Sequence, residues 1–406
     1  MYQVLEGLRV VEMASFVAGP SCGLHLLQMG AEVIRIDPLR GGLDNGRWPL
    51  ATDATSLYWQ GLNKGKKSVA LDLGRGEGRE LATAIVTARG SGAGLFLTNQ
   101  APRGAFSHEV LSQRRTDLIS VRVMGWGNGA TAVDYTVNAA LGLPYMTGPV
   151  EAESQPVNHV LPAWDLICGA YSAFALLAAE RRRRETGNGG EIQVPLSDIA
   201  ASTLGHLGQV AEVTLGQDRP RVGNDLFGAF GRDFVTRDGV RVIVIAITSR
   251  QWSSLVEAIN LEAAITELES ALGVKLGTDE GTRFMQRDAL NPLVAHAIAA
   301  RDYDVLVEEF DRRGVCYGRY RTLKEAVDHE ECFQAGYGVF EPVEHPGGHR
   351  YPTPGAPARI SQQMRASPPS APRLGEHTEM VLSEVLKLGT ADIGRLVDAG
   401  IIARPS

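Results

Sequence analysis

The stretch GLRVVEMASFVAGPSCGLHLLQMGAEVIRIDP (residues 7–38) decides the fold of this chain. Its first part, GLRVVEMA (7–14), is rich in β-branched and apolar residues and predicts a strand. SCGLHLLQMG (21–30) predicts a helix that ends at a glycine, and AEVIRIDP (31–38) predicts a second strand that Pro38 ends. A strand, a helix and a strand in this order predict two parallel strands joined by a helical crossover.

The same alternation continues along the first half of the chain. Further strands are predicted at 67–73, 94–99 and 118–126, with helices near 76–89 and 107–115. This α/β pattern predicts a largely parallel sheet covered on both faces, which binds ligands at the carboxyl ends of its strands. The first crossover has Gly19 and Gly23 but no G-x-G-x-x-G motif, which argues against a nicotinamide cofactor.

The second half of the chain has a different texture. A long helix that begins at Pro162 and Asp165 runs to Arg184, and a strand follows at 191–196. The later predicted elements are a hairpin at 234–247, helices near 250–260, 281–300 and 302–313, a proline-rich extended segment at 341–373, and two amphipathic helices at the end. These elements predict a smaller α+β domain over 224–320.

Composition and charge narrow the class of protein. The 406 residues, of which 44% are hydrophobic and 21% charged, suit one large and one smaller soluble domain. No signal pattern or uncharged apolar run of 18 residues is present, so we expect a cytoplasmic protein without a membrane partner. The net charge of −7 argues against nucleic acid, and four scattered cysteines predict neither a zinc site nor disulfides.

Asp165 is the acid that needs an interpretation. It lies in the first turn of the long helix, where the backbone amides favour a negative charge and keep a carboxylate ionised. It is therefore either an ordinary first-turn acid or a bare carboxylate that acts as a covalent nucleophile. The second role requires an activated acyl donor such as a thioester, because no partner base accompanies Asp165.

Other polar motifs leave two interpretations open. RRRR (181–184) is either a phosphate patch or a solvated helix end, and NKGKKS (63–68) is either an anchor for phosphates or a solvated turn. His159 and His206 are either structural or catalytic. A serine triad is not indicated, because the chain has no G-x-S-x-G motif.

Five segments in the same order resemble the class III CoA-transferase family (CaiB/BaiF type). They are LEGLRVVEMASFVAGP with MGAEVIRIDP, NKGKKSVALDL, LTNQAPRG, AWDLICGAYSAFALLAAERRRRETGNGGEIQVPLSD and APRLGEHTEMVLSEVL. The resemblance implies a Rossmann-like large domain from 1–223 and 321–406, a small α+β domain inserted at 224–320, and an interlocked homodimer. It also implies an acyl-CoA substrate, with coenzyme A entering as part of the substrate and no permanently bound cofactor or metal.

The resemblance also implies roles for individual residues. Asp165 would attack the acyl carbon of a CoA thioester, and the resulting anhydride would exchange with the CoA thiolate to give an aspartyl-CoA thioester. An incoming carboxylate would then reverse these steps. The CoA-binding residues carried over are Ser15, Phe16, Val17, Ala18, Asn63, Lys67, Leu71, Asn99 and Arg103, with Arg47 and Trp126 as weaker matches.

Two departures suggest where the chain falls within the family. Val133 stands where racemases of this fold have a histidine, which removes half of their proton-transfer machinery. In formyl-CoA transferases, a run of glycines covers the intermediate while substrates exchange. The segment that resembles it here, GNDLFGAFGRD (223–233), has bulky residues between its glycines, which suggests that substrates need not exchange.

The segments GGLDNGRWP, NHVLPAWD, LGLPYMTGP and GAFGRDF resemble family members that move CoA from the C1 to the C4 carboxyl of one mesaconyl unit. Retaining the freed dicarboxylate would need an apolar wall and a cationic clamp. The wall candidates are Tyr145, Phe227 and Phe230, and the clamp candidates are Arg47, His159 and Arg232. The alternatives are an intermolecular transferase with mesaconate or succinate as acceptor, an α-methylacyl-CoA racemase, and a CoA-binding protein without chemistry.

Overall fold

The computed structural model describes residues 1–101, 104–152 and 155–403. The chain forms two compact units: the first comprises Met1–Leu141, Val160–Ala211 and His329–Ser406, and the second comprises Gly142–His159 and Glu212–Asp328. The predicted domain ranges, 1–223 with 321–406 and 224–320, stay a prediction.

The first unit is built on a six-stranded sheet. Its strands are β1 (Arg9–Met13), β2 (Glu32–Pro38), β3 (Lys67–Leu71), β4 (Leu95–Thr98), β5 (Ile119–Met124) and β6 (Gly190–Pro195). They lie in the order β3-β2-β1-β4-β5-β6, and every neighbouring pair is parallel. This is the strand order of a doubly wound, Rossmann-like sheet, so the predicted α/β class is confirmed.

Helices lie between these strands in the chain, and further helices follow β6. In chain order they are α1 (Ala18–Gln28), α2 (Leu57–Asn63), α3 (Gly76–Val86), α4 (His108–Arg114), α5 (Asp134–Ala140), α6 (Leu143–Met146), α7 (Ala163–Thr186), α8 (Leu196–His206) and α9 (Gln209–Thr214). Of these, α6 belongs to the second unit, and α9 begins in the first unit and ends in the second. Helix α7 packs closely on α1, because a Cβ at Gly169 would lie 2.0 Å from Ser21 Oγ. The glycine therefore lets the two helices approach.

The second unit contains a three-stranded antiparallel sheet and helices. Its elements are β7 (Phe230–Val235), β8 (Arg241–Ala246), α10 (Ser249–Ala258), α11 (Glu262–Leu272), α12 (Glu280–Met285), α13 (Arg287–Ala299), α14 (Tyr303–Arg313), β9 (Cys316–Arg319) and α15 (Leu323–His329). The single helix expected at 281–300 is divided at Gln286, where α12 ends and α13 begins. Apolar residues of β7, β8 and the helices form one core, with Phe230, Val244 and Phe310 fully buried.

The last part of the chain returns to the first unit. It contains β10 (Phe340–Glu344), β11 (Arg350–Pro354), α16 (Thr378–Leu386) and α17 (Thr390–Asp398). Within the 341–373 segment that was expected to be extended, β10 and β11 pair as an antiparallel hairpin, which was not predicted. Helices α16 and α17 pack with α3 and the sheet around Val69, Ile85 and Val381, so both ends of the chain build one core.

Helix α7 has the length and apolar composition that a membrane-crossing helix requires. Buried helices of soluble proteins meet the same requirement, so this property is weak evidence for a membrane. Part of its surface is covered within the first unit, where Trp164, Cys168 and Leu176 are buried.

Candidate active site

A cavity of about 800 Å³ opens at the carboxyl ends of β1, β4 and β5. Its walls include the loop from Ser15 to Ala18, the residues after β4, the end of β5, and residues 129–135. The strand order reverses between β1 and β4, and crevices at such a reversal are where doubly wound sheets bind ligands. The cavity therefore lies where the sheet topology places a ligand site.

Asp165 lines this cavity from the first turn of α7. The pKa of its carboxyl is raised from 3.8 to about 7: burial contributes most, the Asp134 carboxylate adds to the rise, and Arg47 opposes both. The expectation that the helix start keeps Asp165 well ionised is thereby corrected. The amides of Trp164 and Asp165 at the helix start donate to Asp134 Oδ2, at 2.7 and 3.0 Å, and so are engaged by a different carboxylate. At Asp165 the desolvation of the carboxylate therefore outweighs the stabilising effect of the helix start.

The loop between β1 and α1 forms one wall and is held rigidly. The side-chain amide of Asn99 accepts a hydrogen bond from Ser15 N at 3.2 Å and donates one to Ser15 O at 2.8 Å. Phe16 has φ of 69°, a left-handed conformation that a non-glycine residue rarely adopts. Its amide donates to Asp44 Oδ2 at 3.0 Å, so Asp44 helps to hold this strained residue.

Asp44 belongs to a cluster of buried charges between β1, β2 and β3. Arg35, which is 1% exposed, donates to Asp37 at 2.8 Å, to Asp44 at 2.8 Å and to Asn63 at 3.0 Å. Lys66 donates to both oxygens of Glu12 at 2.8 and 2.9 Å. Every charge in this cluster has an opposite neighbour, which buried charges require.

Arg47 is a cation that lies close enough to Asp165 to lower its pKa. Its guanidinium lies 5.6 Å from the centre of the Phe16 ring and 5.2 Å from that of the Tyr58 ring. Burial raises the pKa of Tyr58 to about 12, so its hydroxyl is protonated and able to donate at neutral pH. Arg47 and Tyr58 therefore bring a positive charge and a hydrogen-bond donor to the wall that carries Phe16.

Some of the residues predicted to bind CoA do not line the cavity. The predicted residues that line it together with Asp165 are Ser15, Phe16, Val17, Ala18, Arg47 and Asn99. Asn63 is engaged with Arg35 and Lys66, Lys67 pairs with Glu32, and Leu71 is buried in the core. Trp126 is half-buried in the turn after β5, and Arg103 lies outside the described residues.

The residues proposed for a substrate wall or clamp belong to the second unit, apart from Arg47. Tyr145 and Phe227 are exposed, His159 is half-buried, and Arg232 pairs with Asp225 at 3.1 Å. Phe230 is 1% exposed and packs against Phe234 and Trp252. The wall role expected for Phe230 is corrected, because a ring packed on all sides in a core leaves no surface for a substrate.

Several cavity residues were not predicted from the sequence. Asp134, Tyr58, Arg122 and Trp48 all line the cavity. Asp134 is adjacent to Val133, and an acid opening a helical segment was a signal that could have drawn attention to it. Tyr58 and Arg122 carried no local signal, since they reach the cavity only through the packing of α2 and β5.

The fold and this cavity define a Rossmann-like α/β protein whose ligand site, at the strand-order reversal, carries an aspartate at the start of a helix. The family description "CoA-transferase family III" matches residues 5–378, and the chain belongs to this family. This confirms the resemblance inferred from the five sequence segments.

Individual relatives agree with this assignment. The chain is 46% identical to a 2-methylfumaryl-CoA isomerase of Chloroflexus aurantiacus over 100% of this chain and 99% of the relative. It is 25% identical to a human succinyl-CoA:glutarate CoA-transferase over 98% of this chain and 90% of the relative. A crystal structure of a CaiB/BaiF family protein from Brucella suis shares the fold with a TM-score of 0.77 at 24% identity, covering 95% of this chain and all of that one.

Proposed function

We propose that this protein is an intramolecular CoA transferase that converts 2-methylfumaryl-CoA into 3-methylfumaryl-CoA by moving CoA from the C1 to the C4 carboxyl. The observation that carries the proposal is the Asp165 carboxylate on the cavity wall, beside the cationic Arg47. The full-length similarity to a 2-methylfumaryl-CoA isomerase supports the choice of substrate. The composition, typical of a soluble protein, supports work in the cytoplasm.

In the proposed mechanism, an Asp165 oxygen attacks the C1 carbonyl and the C–S bond breaks. The CoA thiolate departs, and a mixed anhydride between Asp165 and the C1 carboxyl remains. The thiolate then attacks the Asp165 carbonyl, which frees the dicarboxylate and forms an aspartyl-CoA thioester. The C4 carboxylate attacks this thioester and releases the thiolate, which finally attacks the C4 carbonyl and frees Asp165. Each step exchanges one activated acyl bond for another, so a carboxylate suffices as the nucleophile.

The described residues support parts of this mechanism. Arg47 is the candidate clamp that lines the cavity, where it can hold the free carboxylate of the substrate. Ser15, Phe16, Val17, Ala18 and Asn99 are the proposed contacts for CoA. No histidine lines the cavity among the residues that the structure describes, and Val133 lies on its wall, which disfavours a racemase.

The intramolecular course has a direct test. When unlabelled 2-methylfumaryl-CoA is converted in the presence of ¹³C-labelled free mesaconate, the 3-methylfumaryl-CoA product should contain no label by mass spectrometry. The reason is that the freed dicarboxylate stays in the cavity until the C4 carboxylate reacts. Labelled succinate serves as a second acceptor and should yield no succinyl-CoA. Label entering either thioester at the rate of isomerisation would establish an intermolecular transferase instead.

We also propose that the protein works as an interlocked homodimer, as the family resemblance implies. Helix α7 supports this proposal, because Leu166, Ile167, Tyr171 and Phe174 leave an apolar part of its surface exposed in one chain. Exposed apolar patches of this kind mark interaction surfaces.

Light scattering should therefore give the mass of two chains for the wild-type protein. A Phe174→Glu substitution should weaken association by at least about 30-fold, because it places a charge in an apolar interface. Arg181→Ala on the polar end of the same helix is the matched control and should remain dimeric. A monomeric wild-type protein would contradict the proposal.

A further inference from the structure

Helix α5 holds the first turn of α7 through Asp134. The first amides of a helix have no partner within the helix, and the residue before α7 is Pro162, whose side chain cannot cap them. Asp134 Oδ2 accepts hydrogen bonds from Trp164 N at 2.7 Å and from Asp165 N at 3.0 Å. A residue 31 positions earlier in the chain thus caps the helix that carries Asp165.

A second residue of α5 strengthens this attachment. Asn138 lies one helical turn after Asp134, and its Oδ1 accepts a hydrogen bond from Trp164 Nε1 at 3.2 Å. Both Asp134 and Asn138 are 2% exposed, so water does not compete effectively for these bonds. Backbone and side chain of Trp164 are therefore both held by α5, immediately before Asp165.

We propose that Asp134 is a positioning residue for the Asp165 nucleophile: it fixes the amides from which the Asp165 side chain projects and sets a second negative charge beside that carboxylate. The inference rests on the proposed function, because it assumes that Asp165 performs the attack. Asp134 lines the same cavity but forms no bond to the substrate in this mechanism.

The charged and titratable neighbours of Asp165 explain why the second carboxylate matters. Asp134 on α5 raises the pKa of Asp165, and Arg47 lowers it. Tyr58 on α2 and Cys168 on α7 also face Asp165, but burial raises the pKa of each to about 12, so both are neutral near pH 7. Asp134 and Arg47 are thus the charged groups among these neighbours that tune Asp165.

A raised pKa has a chemical consequence. A more basic carboxylate is the stronger nucleophile once it is ionised, as Brønsted behaviour requires. The opposing effects of Asp134 and Arg47 leave Asp165 with a pKa of about 7, where a large fraction is still ionised at neutral pH. Asp134 thereby gains reactivity for Asp165 while the same carboxylate keeps the helix start in place.

Two substitutions separate the charge from the hydrogen bonds. Asp134→Asn retains an oxygen that can accept both amides but removes the charge, so the acidic limb of kcat/KM against pH should move down by about one pH unit. Asp134→Ala removes both, and kcat should fall about 100-fold with a smaller change in KM, because the nucleophile is no longer held in place. Asp134→Asn should recover part of that loss at pH 8.

Asp279→Asn is the matched control. Asp279 caps α12 in the second unit by accepting from Thr282 N at 2.6 Å, and its substitution should leave the pH profile unchanged. An Asp134→Asn enzyme whose acidic limb coincides with that of the wild type would overturn the proposal, and this variant decides the question if Asp134→Ala fails to fold. Activity that survives in Asp165→Asn would instead refute the proposed function, so the two failures are distinguishable.

Discussion

Replacing Asp165 with asparagine should reduce isomerisation by a factor on the order of 10⁴ to 10⁶, as the loss of a covalent nucleophile does in other enzymes. The amide cannot form the mixed anhydride from which all later steps proceed. Turnover of 2-methylfumaryl-CoA followed by chromatography measures the effect, and binding of CoA should persist because the loop from Ser15 to Ala18 is intact.

Asp198→Asn is the matched control for this prediction. Asp198 also lies in the first turn of a helix after a strand of the same sheet, but it is exposed and does not line the cavity. Its substitution should leave turnover near the wild-type value. Equal losses in both variants would mean that Asp165 acts only as an ordinary acid at a helix start.

The same Asp165→Asn protein should be more stable than the wild type at alkaline pH. The pKa of Asp165 is about 7 in the folded protein and 3.8 without the fold, so the folded state retains a proton that the unfolded state loses. Stability from this group is therefore full below about pH 4, falls as the pH rises to about 7, and stays lower above it.

Asparagine cannot ionise, so it removes this penalty. The gain in unfolding free energy should reach about 2–4 kcal/mol at pH 8 and nearly vanish at pH 4. Denaturant titration at the two pH values measures it. A stabilised but inactive variant would separate the loss of the nucleophile from misfolding, whereas equal stability at both pH values would show that Asp165 is not held in an environment that disfavours its charge.

Replacing Arg35 with methionine should destabilise the protein by about 3–5 kcal/mol, because it leaves buried carboxylates without their partner. Arg35 pairs with Asp37 and Asp44 at 2.8 Å and lies 3.6 Å from Glu12. Burial already raises the pKa of Glu12, and loss of a neighbouring cation would raise it further. Urea unfolding followed by circular dichroism measures the change.

Arg9→Met is the matched control in the neighbouring strand. Arg9 pairs with Glu32 at 2.5 Å, but both side chains are more than a quarter exposed, so the loss should stay below about 1 kcal/mol. Adding Asp44→Asn to Arg35→Met should recover part of the stability by removing one unpaired charge. If both arginine variants lost the same stability, the buried cluster would contribute no more than a surface ion pair.

Only part of the strand order could be predicted from the sequence. Runs such as GLRVVEMA and AEVIRIDP identified buried strands, and the helix between them made their parallel pairing predictable. The buried ion pairs could not be predicted from the same runs. Glu12 and Arg35 are single charged residues within apolar strands, and only the pairing of the strands brings them together. The proline content of 341–373 did not reveal the β10–β11 hairpin, since prolines are tolerated in strands at the edge of a sheet.

The sequence by itself determined the α/β class, the start of the helix that carries Asp165, and the family, because each depends on local pattern or on motifs in a fixed order. Only the tertiary structure decided the electrostatic state of Asp165. Its pKa depends on burial, on Asp134 thirty-one positions away and on Arg47 from another loop, and such distances are set by packing. The interaction between two charges depends on their distance in space, and this distance does not follow from their separation along the chain.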